Sequence, residues 1–173
     1  MNKSFLIGLR FVALILVQVL VINHIRLGGY VHPYIYLIFI MLLPIHIPDW
    51  KLLLWGFALG FCIDMFTGTP GLHAGSTTLM AFCRPAILRI VSGRQKLEDI
   101  IEPNLDQLGG VWFLRYAFCM VLVHHCALFL LESFSLRLIG QVLMRILISV
   151  PVSIFLIMIV LYLFKKEKKG ETR

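Results

Sequence analysis

Long apolar runs, broken by short polar or proline-containing links, set the pattern of this chain. They cover about residues 5–23, 33–47, 50–66, 72–91, 111–131 and 138–164. Stretches such as Phe11 to Val17 and Ile154 to Leu161 are apolar on every face. That is the pattern of a helix in lipid; a barrel strand alternates apolar and polar positions. The run at 33–47 is short and bracketed by Pro33, Pro44 and Pro48. Proline disfavours helix both at its own position and at the residue before it. The pattern therefore predicts an all-α membrane protein of about six transmembrane helices, or five if the second run is re-entrant. The polar stretch Ser92 to Gly110 and a short polar tail from residue 165 complete a single polytopic domain.

Composition strengthens this reading. Of 173 residues, 60% are hydrophobic and 14% charged, and the mean hydropathy is +0.91. A soluble domain holds about 45–50% apolar residues. Six spans of about 20 residues each take about 120 positions, which leaves no length in this chain for a globular catalytic or nucleotide-binding domain. Cys62, Cys83, Cys119 and Cys126 all lie in apolar runs without CxxC spacing, so they read as free thiols rather than disulfide or metal ligands. The first run lacks the short apolar core and small-residue cleavage site of a signal peptide and is read as a retained helix.

Charge adds an orientation. Sixteen Lys and Arg against nine Asp and Glu give a formal net charge of +7. Threaded on six spans, Lys3, Lys51, Arg89, Arg94, Lys96, Arg115, Lys165, Lys166, Lys168, Lys169 and Arg173 share one side, and Arg26 and Arg137 take the other. Cytoplasmic loops retain Lys and Arg, so both termini are predicted in the cytoplasm. The basic tail at 165–173 suits an anionic lipid surface, where each cation contributes about 1 kcal/mol. No basic groove with interleaved aromatics points to nucleic acid. In the 92–110 loop, Leu97, Ile100 and Ile101 predict one amphipathic helical turn ended by Pro103. The loop reads as a solvated cytoplasmic connector, with contact to a cytoplasmic protein as the alternative.

The intramembrane polar residues are the site candidates, because burying them in lipid is costly. Gly56, Gly60 and Asp64 recur every four residues and so form one helical stripe. The two glycines permit close approach of another backbone, and Thr67 to His73 follow at once. Asp64 is expected to clamp this link by accepting from the turn or by pairing with His73; a partner- or ligand-binding carboxylate is the alternative. A second cluster comprises His124, His125, Glu132 and Arg137 with Arg145. Arg145 and the histidines lie at similar depth, about 10 Å from the span ends, so Arg145 is expected to be neutralised by Glu132 or the histidines. The adjacent histidines face about 100° apart, which argues against a metal site. Arg10 and Arg84 are expected to snorkel, and Pro85 to kink its helix. With no HExxH, P-loop or GxSxG motif, no catalytic residue or cofactor is assigned; an intramembrane hydrolase using Asp64 and His73 is the remaining enzymatic alternative.

The stretch His32-Pro33 through Leu42-Leu43-Pro44, Gly56-xxx-Gly60-xxx-Asp64, Gly71-Leu72-His73-Ala74 and Ala81-Phe82-Cys83-Arg84-Pro85 resembles the MreD family of rod shape-determining membrane proteins. The motifs span about residues 30–90; length, span layout and basic tail extend the likeness. The resemblance implies a non-enzymatic component of the bacterial inner membrane and of the rod complex, or elongasome. It implies as partners a bitopic MreC-like protein, a RodA-type glycosyltransferase, a class B penicillin-binding protein and the MreB filament, all directing lateral peptidoglycan synthesis and rod cell shape. It further implies a fold like the substrate-binding subunits of energy-coupling-factor transporters. On this reading Gly56, Gly60, Asp64, Gly71, His73 and Arg84 are partner-binding or helix-packing candidates. A vitamin-binding transporter subunit, with a cavity lined by Asp64, His73, His124, His125 and Arg145, is the alternative function.

Overall fold

The computed structural model describes residues 3–24, 31–93, 97–133 and 139–164. Arg26, Arg94, Lys96, Arg137 and the basic tail at 165–173 lie outside the described residues. Within them the chain is helical and contains no β-strand. In order come α1 (Lys3–Leu20), continued by a 3-10 turn at Ile22–His24, then α2 (Ile38–Met41), α3 (Asp49–Thr67) and α4 (Leu72–Ser92). After these come α5 (Leu105–Leu108), α6 (Gly110–Ser133) and α7 (Ile139–Leu163).

Four of these elements are long and apolar enough to cross a membrane: α1 with its extension, α3, α6 and α7. The fourth predicted span is also one helix, α4, and runs through Pro85 without a break. Its 21 residues reach about 31 Å, but His73, Ser76, Thr77, Thr78, Arg84 and Arg89 make it less apolar. His73, Ser76, Thr77 and Arg84 are all buried, so those groups face protein.

The helices pack α3 on α4, α4 on α6, α6 on α7, and α1 on α3. Large apolar side chains remain exposed on their outer faces. Trp50, Leu54, Phe57, Phe61 and Met65 of α3 form one such stripe, at the three- and four-residue spacing of a single helix face.

The second predicted span, 33–47, has a different form from the helix its apolar composition suggests. Only Ile38–Met41 is α-helical, one turn long; residues 32–35 are irregular and a turn follows at 42–46. The prolines explain this. Pro33 keeps the approach to α2 out of the helical conformation, and Pro44 lacks the N–H that a continuing helix needs. Every residue from Ile35 to Met41 is buried, and the segment forms the centre of the main apolar core with Leu59, Ile63, Met80, Phe113 and Tyr116.

In the 92–110 link, the turn at Leu97–Ile100 closes by a single Ile100 N to Leu97 O bond of 3.1 Å. The helical turn lies beyond Pro103 as α5, not before it as expected. Its cap is Asn104, whose side chain accepts from Gln107 N at 2.8 Å, an N-cap arrangement that serves a free helical N–H.

Candidate functional site

The α3–α4 junction is built on the Gly56, Gly60, Asp64 stripe. A Cβ at Gly56 would lie 2.9 Å from Ala81 Cβ and 3.0 Å from the Thr77 carbonyl, and at Gly60 it would fall on Thr77 Oγ1 and the His73 carbonyl. The glycines thus bring the two backbones together, and Thr77 Oγ1 reaches across to the Gly56 carbonyl at 2.7 Å. At the end of the stripe, Asp64 Oδ1 accepts from Thr69 Oγ1 at 2.9 Å and His73 N at 3.0 Å. Its Oδ2 accepts from Gly71 N at 3.0 Å and Ala74 N at 2.9 Å. One carboxylate therefore satisfies three backbone donors that open α4, where the helix dipole favours negative charge. Gly71 takes φ +88° to aim its N–H inward. The contact between Asp64 and His73 runs through the His73 backbone, and its imidazole turns elsewhere.

That imidazole enters a network around the central segment. The Tyr36 hydroxyl lies 2.9 Å from His73 Nδ1 and 2.8 Å from His124 Nε2. A hydroxyl has one proton, so it donates to one ring and accepts N–H from the other; the two imidazoles hold opposite roles. The Nδ1 atom of His124 is buried without a partner among the described residues. His125 points to a different neighbour. Its Nδ1 is 2.9 Å from the Val121 carbonyl, which can only accept, so in the neutral ring Nε2 takes the proton of Ser153 Oγ at 3.2 Å. The Tyr34 ring packs against all three imidazoles, with centroid distances of 5.2, 5.6 and 5.3 Å to His73, His124 and His125.

Side chains from distant helices supply the hydrogen bonds that this irregular segment does not make for itself. Gln18 Oε1 accepts from Ile35 N at 2.9 Å while its Nε2 donates to the Pro33 carbonyl at 3.1 Å. Ser149 and Ser153 accept from His32 N and Tyr34 N, each at 3.1 Å. At the other end of the segment, Arg84 donates Nη1 to the Pro44 carbonyl at 3.2 Å, Nη2 to the Leu43 carbonyl, and Nε to the Tyr116 hydroxyl at 2.9 Å. Tyr116 passes its own proton to the Met41 carbonyl at 3.2 Å. Buried non-helical backbone is tolerated when its groups are paired in this way.

The expectation that Arg84 snorkels is corrected: the residue is 1% exposed and caps the α2 turn. Arg10 lies at the same end, paired with Glu102 at 3.2 Å and donating to the Leu42 carbonyl at 3.3 Å.

The second predicted cluster divides. His124 and His125 belong to the interior network, whereas Arg145 binds Glu132 with both terminal nitrogens, Nη1 to Oε2 at 3.0 Å and Nη2 to Oε1 at 3.3 Å. The guanidinium also stacks over Phe129, 4.5 Å from the ring centroid. This pair borders a cavity of about 460 Å³ that Tyr34 and His73 line as well. Among the described residues no cluster of His, Cys, Asp or Glu is arranged to hold a metal.

Gln18, Tyr34, Tyr36, Tyr116, Ser149 and Ser153 join the site without being among the residues that the sequence singles out. A signal was present: Gln18 is an isolated amide in an apolar run, Ser149 and Ser153 recur at helical spacing, and Tyr34 and Tyr36 alternate as in extended backbone. No family model matches the chain, and no curated protein or solved structure matches it either.

Proposed function

We propose that the protein is a non-enzymatic scaffold of the MreD kind in the bacterial inner membrane. In this reading the buried segment at 33–47 counts as one of six crossings and both termini face the cytoplasm, as the distribution of Lys and Arg favours. The fold then corresponds to that of energy-coupling-factor substrate-binding subunits. The protein binds a bitopic MreC-like partner and, with a RodA-type glycosyltransferase, a class B penicillin-binding protein and the MreB filament, directs lateral wall synthesis.

One observation carries most weight. The motif residues Gly56, Gly60, Asp64, His73 and Arg84 interlock inside the bundle, while the α3 stripe from Trp50 to Met65 stays exposed and apolar. Residues committed to holding helices together suit a docking platform, and the exposed apolar stripe is a surface open to lipid or to a partner's transmembrane helix.

Depleting the protein in its native bacterium is expected to turn rods into spheres, and the affinity-purified protein is expected to bring down the MreC-like partner. Unchanged shape and wall insertion under depletion would overturn the reading. Loss of partner recovery on substituting Phe57 and Phe61 by polar residues, at unchanged abundance, would place the partner on the α3 stripe.

A further inference from the structure

We propose that the cavity beside Glu132 and Arg145 binds a small molecule carrying a compact anionic group, carboxylate or phosphate, with Arg145 as its cation. The site does not depend on the scaffold reading, and it stands or falls by a different experiment.

The space is suitable: about 460 Å³ lies within the range of about 300–1,000 Å³ typical of small-molecule sites. Its described lining holds one Lys or Arg, Arg145, and several neutral hydrogen-bonding groups. Among the described residues that line it, Glu132 is the sole acid, whereas Arg145, His73, Tyr34 and Asn23 can all donate. Phe66 and Leu128 supply apolar wall for the uncharged part of a ligand.

Arg145 is the recognition group. It stands in α7, an apolar helix long enough to cross a membrane, where a cation is a functional candidate by default. Glu132 occupies its two terminal nitrogens, but its Nε is buried with no hydrogen-bond partner among the described residues. A guanidinium has donors enough for a bidentate oxyanion and one more contact.

Glu132 is the displaceable partner. Its side chain is 43% exposed against 20% for Arg145, and it sits one residue before the end of α6, where the helix dipole disfavours a carboxylate. An entering anion takes the place of this carboxylate on Arg145 while Glu132 swings toward the open side. The exchange replaces the Glu132 carboxylate by another oxyanion and strands no buried charge, and the ligand adds its contacts to the cavity wall.

The anionic group can belong to a soluble metabolite or to a lipid headgroup, and two arms separate them. The full chain, labelled with 15N-arginine, is placed in phosphatidylcholine nanodiscs and titrated with benzoate and with inorganic phosphate while the Arg145 Nε resonance is followed. Its assignment comes from its loss in Arg145→Lys. In the second arm the nanodiscs contain phosphatidylglycerol. The expected result is a saturable shift of that resonance: with a soluble probe for a metabolite site, or on adding phosphatidylglycerol alone for a headgroup site. Glu132→Gln, which removes the competing carboxylate, is expected to tighten binding about tenfold. An Arg145 resonance unmoved by all three probes would overturn the proposal, as would equal affinity in wild type and Glu132→Gln. The wild-type titration decides alone if Glu132→Gln does not fold, and in the folded Glu132→Gln protein the displaced resonance gives a second assignment.

Discussion

The Tyr36 hydroxyl lies 2.8 Å from Nε2 of His124, tying an irregular central segment to the buried face of α6. The same oxygen is 2.9 Å from His73 Nδ1 on α4, so one phenol holds two helices. Tyr36→Phe keeps the ring and leaves both imidazole nitrogens unpaired in the core. An unsatisfied buried polar group costs about 1–3 kcal/mol, and the variant is expected to unfold at a correspondingly lower temperature in detergent. His124→Phe in the same background should add less than it does alone, because contacting residues are not additive. Full additivity in a thermal-unfolding cycle would show that no coupling runs through the hydroxyl.

Asp64 tests the α4 cap. Asp64→Ala removes all four bonds that its carboxylate accepts, and lost caps cost about 0.5–2 kcal/mol even when a single bond is involved. Steady-state abundance in membranes is expected to fall. Asp64→Asn retains an acceptor oxygen but turns an NH2 toward backbone donors, so it should be intermediate. Normal abundance of Asp64→Ala with loss of function would instead assign the carboxylate to a ligand or partner.

Glycine substitutions should rank by the space each one has. At Gly60 a methyl meets the His73 carbonyl, backbone that cannot move aside, and overpacking of this kind costs about 1–3 kcal/mol or more. Gly75→Ala meets Leu131 Cδ1 at 3.6 Å, an ordinary contact, and Gly140→Ala meets nothing within 4 Å. Denaturant unfolding is expected to place Gly60→Ala far below wild type and the other two close to it. Equal midpoints for all three would refute close packing of α3 on α4.

Arg84→Lys is not conservative here. The guanidinium reaches the Pro44 and Leu43 carbonyls and the Tyr116 hydroxyl together, and a single ammonium cannot reproduce that fork. Hydrogen bonds to charged groups contribute about 1.5–3 kcal/mol each, so losing even one should lower the melting temperature and loosen the α2 turn. Maleimide labelling of a cysteine placed at Leu43 is the direct check: slow in the wild-type background, faster with Arg84→Lys.

Much of this architecture is legible along the chain because it depends on local properties. The lengths of α1, α3, α4, α6 and α7 follow from runs of apolar residues with good helix propensity, and Gly68 and Gly93 end α3 and α4 where a positive φ is needed. The link between Asp64 and the following turn is legible too, since the eleven residues 64–74 contain the acceptor and every donor. The same locality explains the failures. Arg84 reads as a snorkelling cation because its partners at 41–44 are forty positions away, and the polar cluster reads as one group because helical depth says nothing about which way each side chain faces.

Hydrophobicity by itself determined where the long helices lie, and the prolines marked residues 33–47 as a short run, a sixth span or a re-entrant segment. Only the tertiary structure decided what that segment is. An apolar run carries no record of how its backbone will be paired. Gln18, Arg84, Tyr116, Ser149 and Ser153 come from four helices and more than 130 positions of sequence, and each is an isolated polar residue until folding places it against a carbonyl or N–H that would otherwise be buried unpaired. The demand that buried backbone be satisfied selects their arrangement, and it acts on the folded chain as a whole.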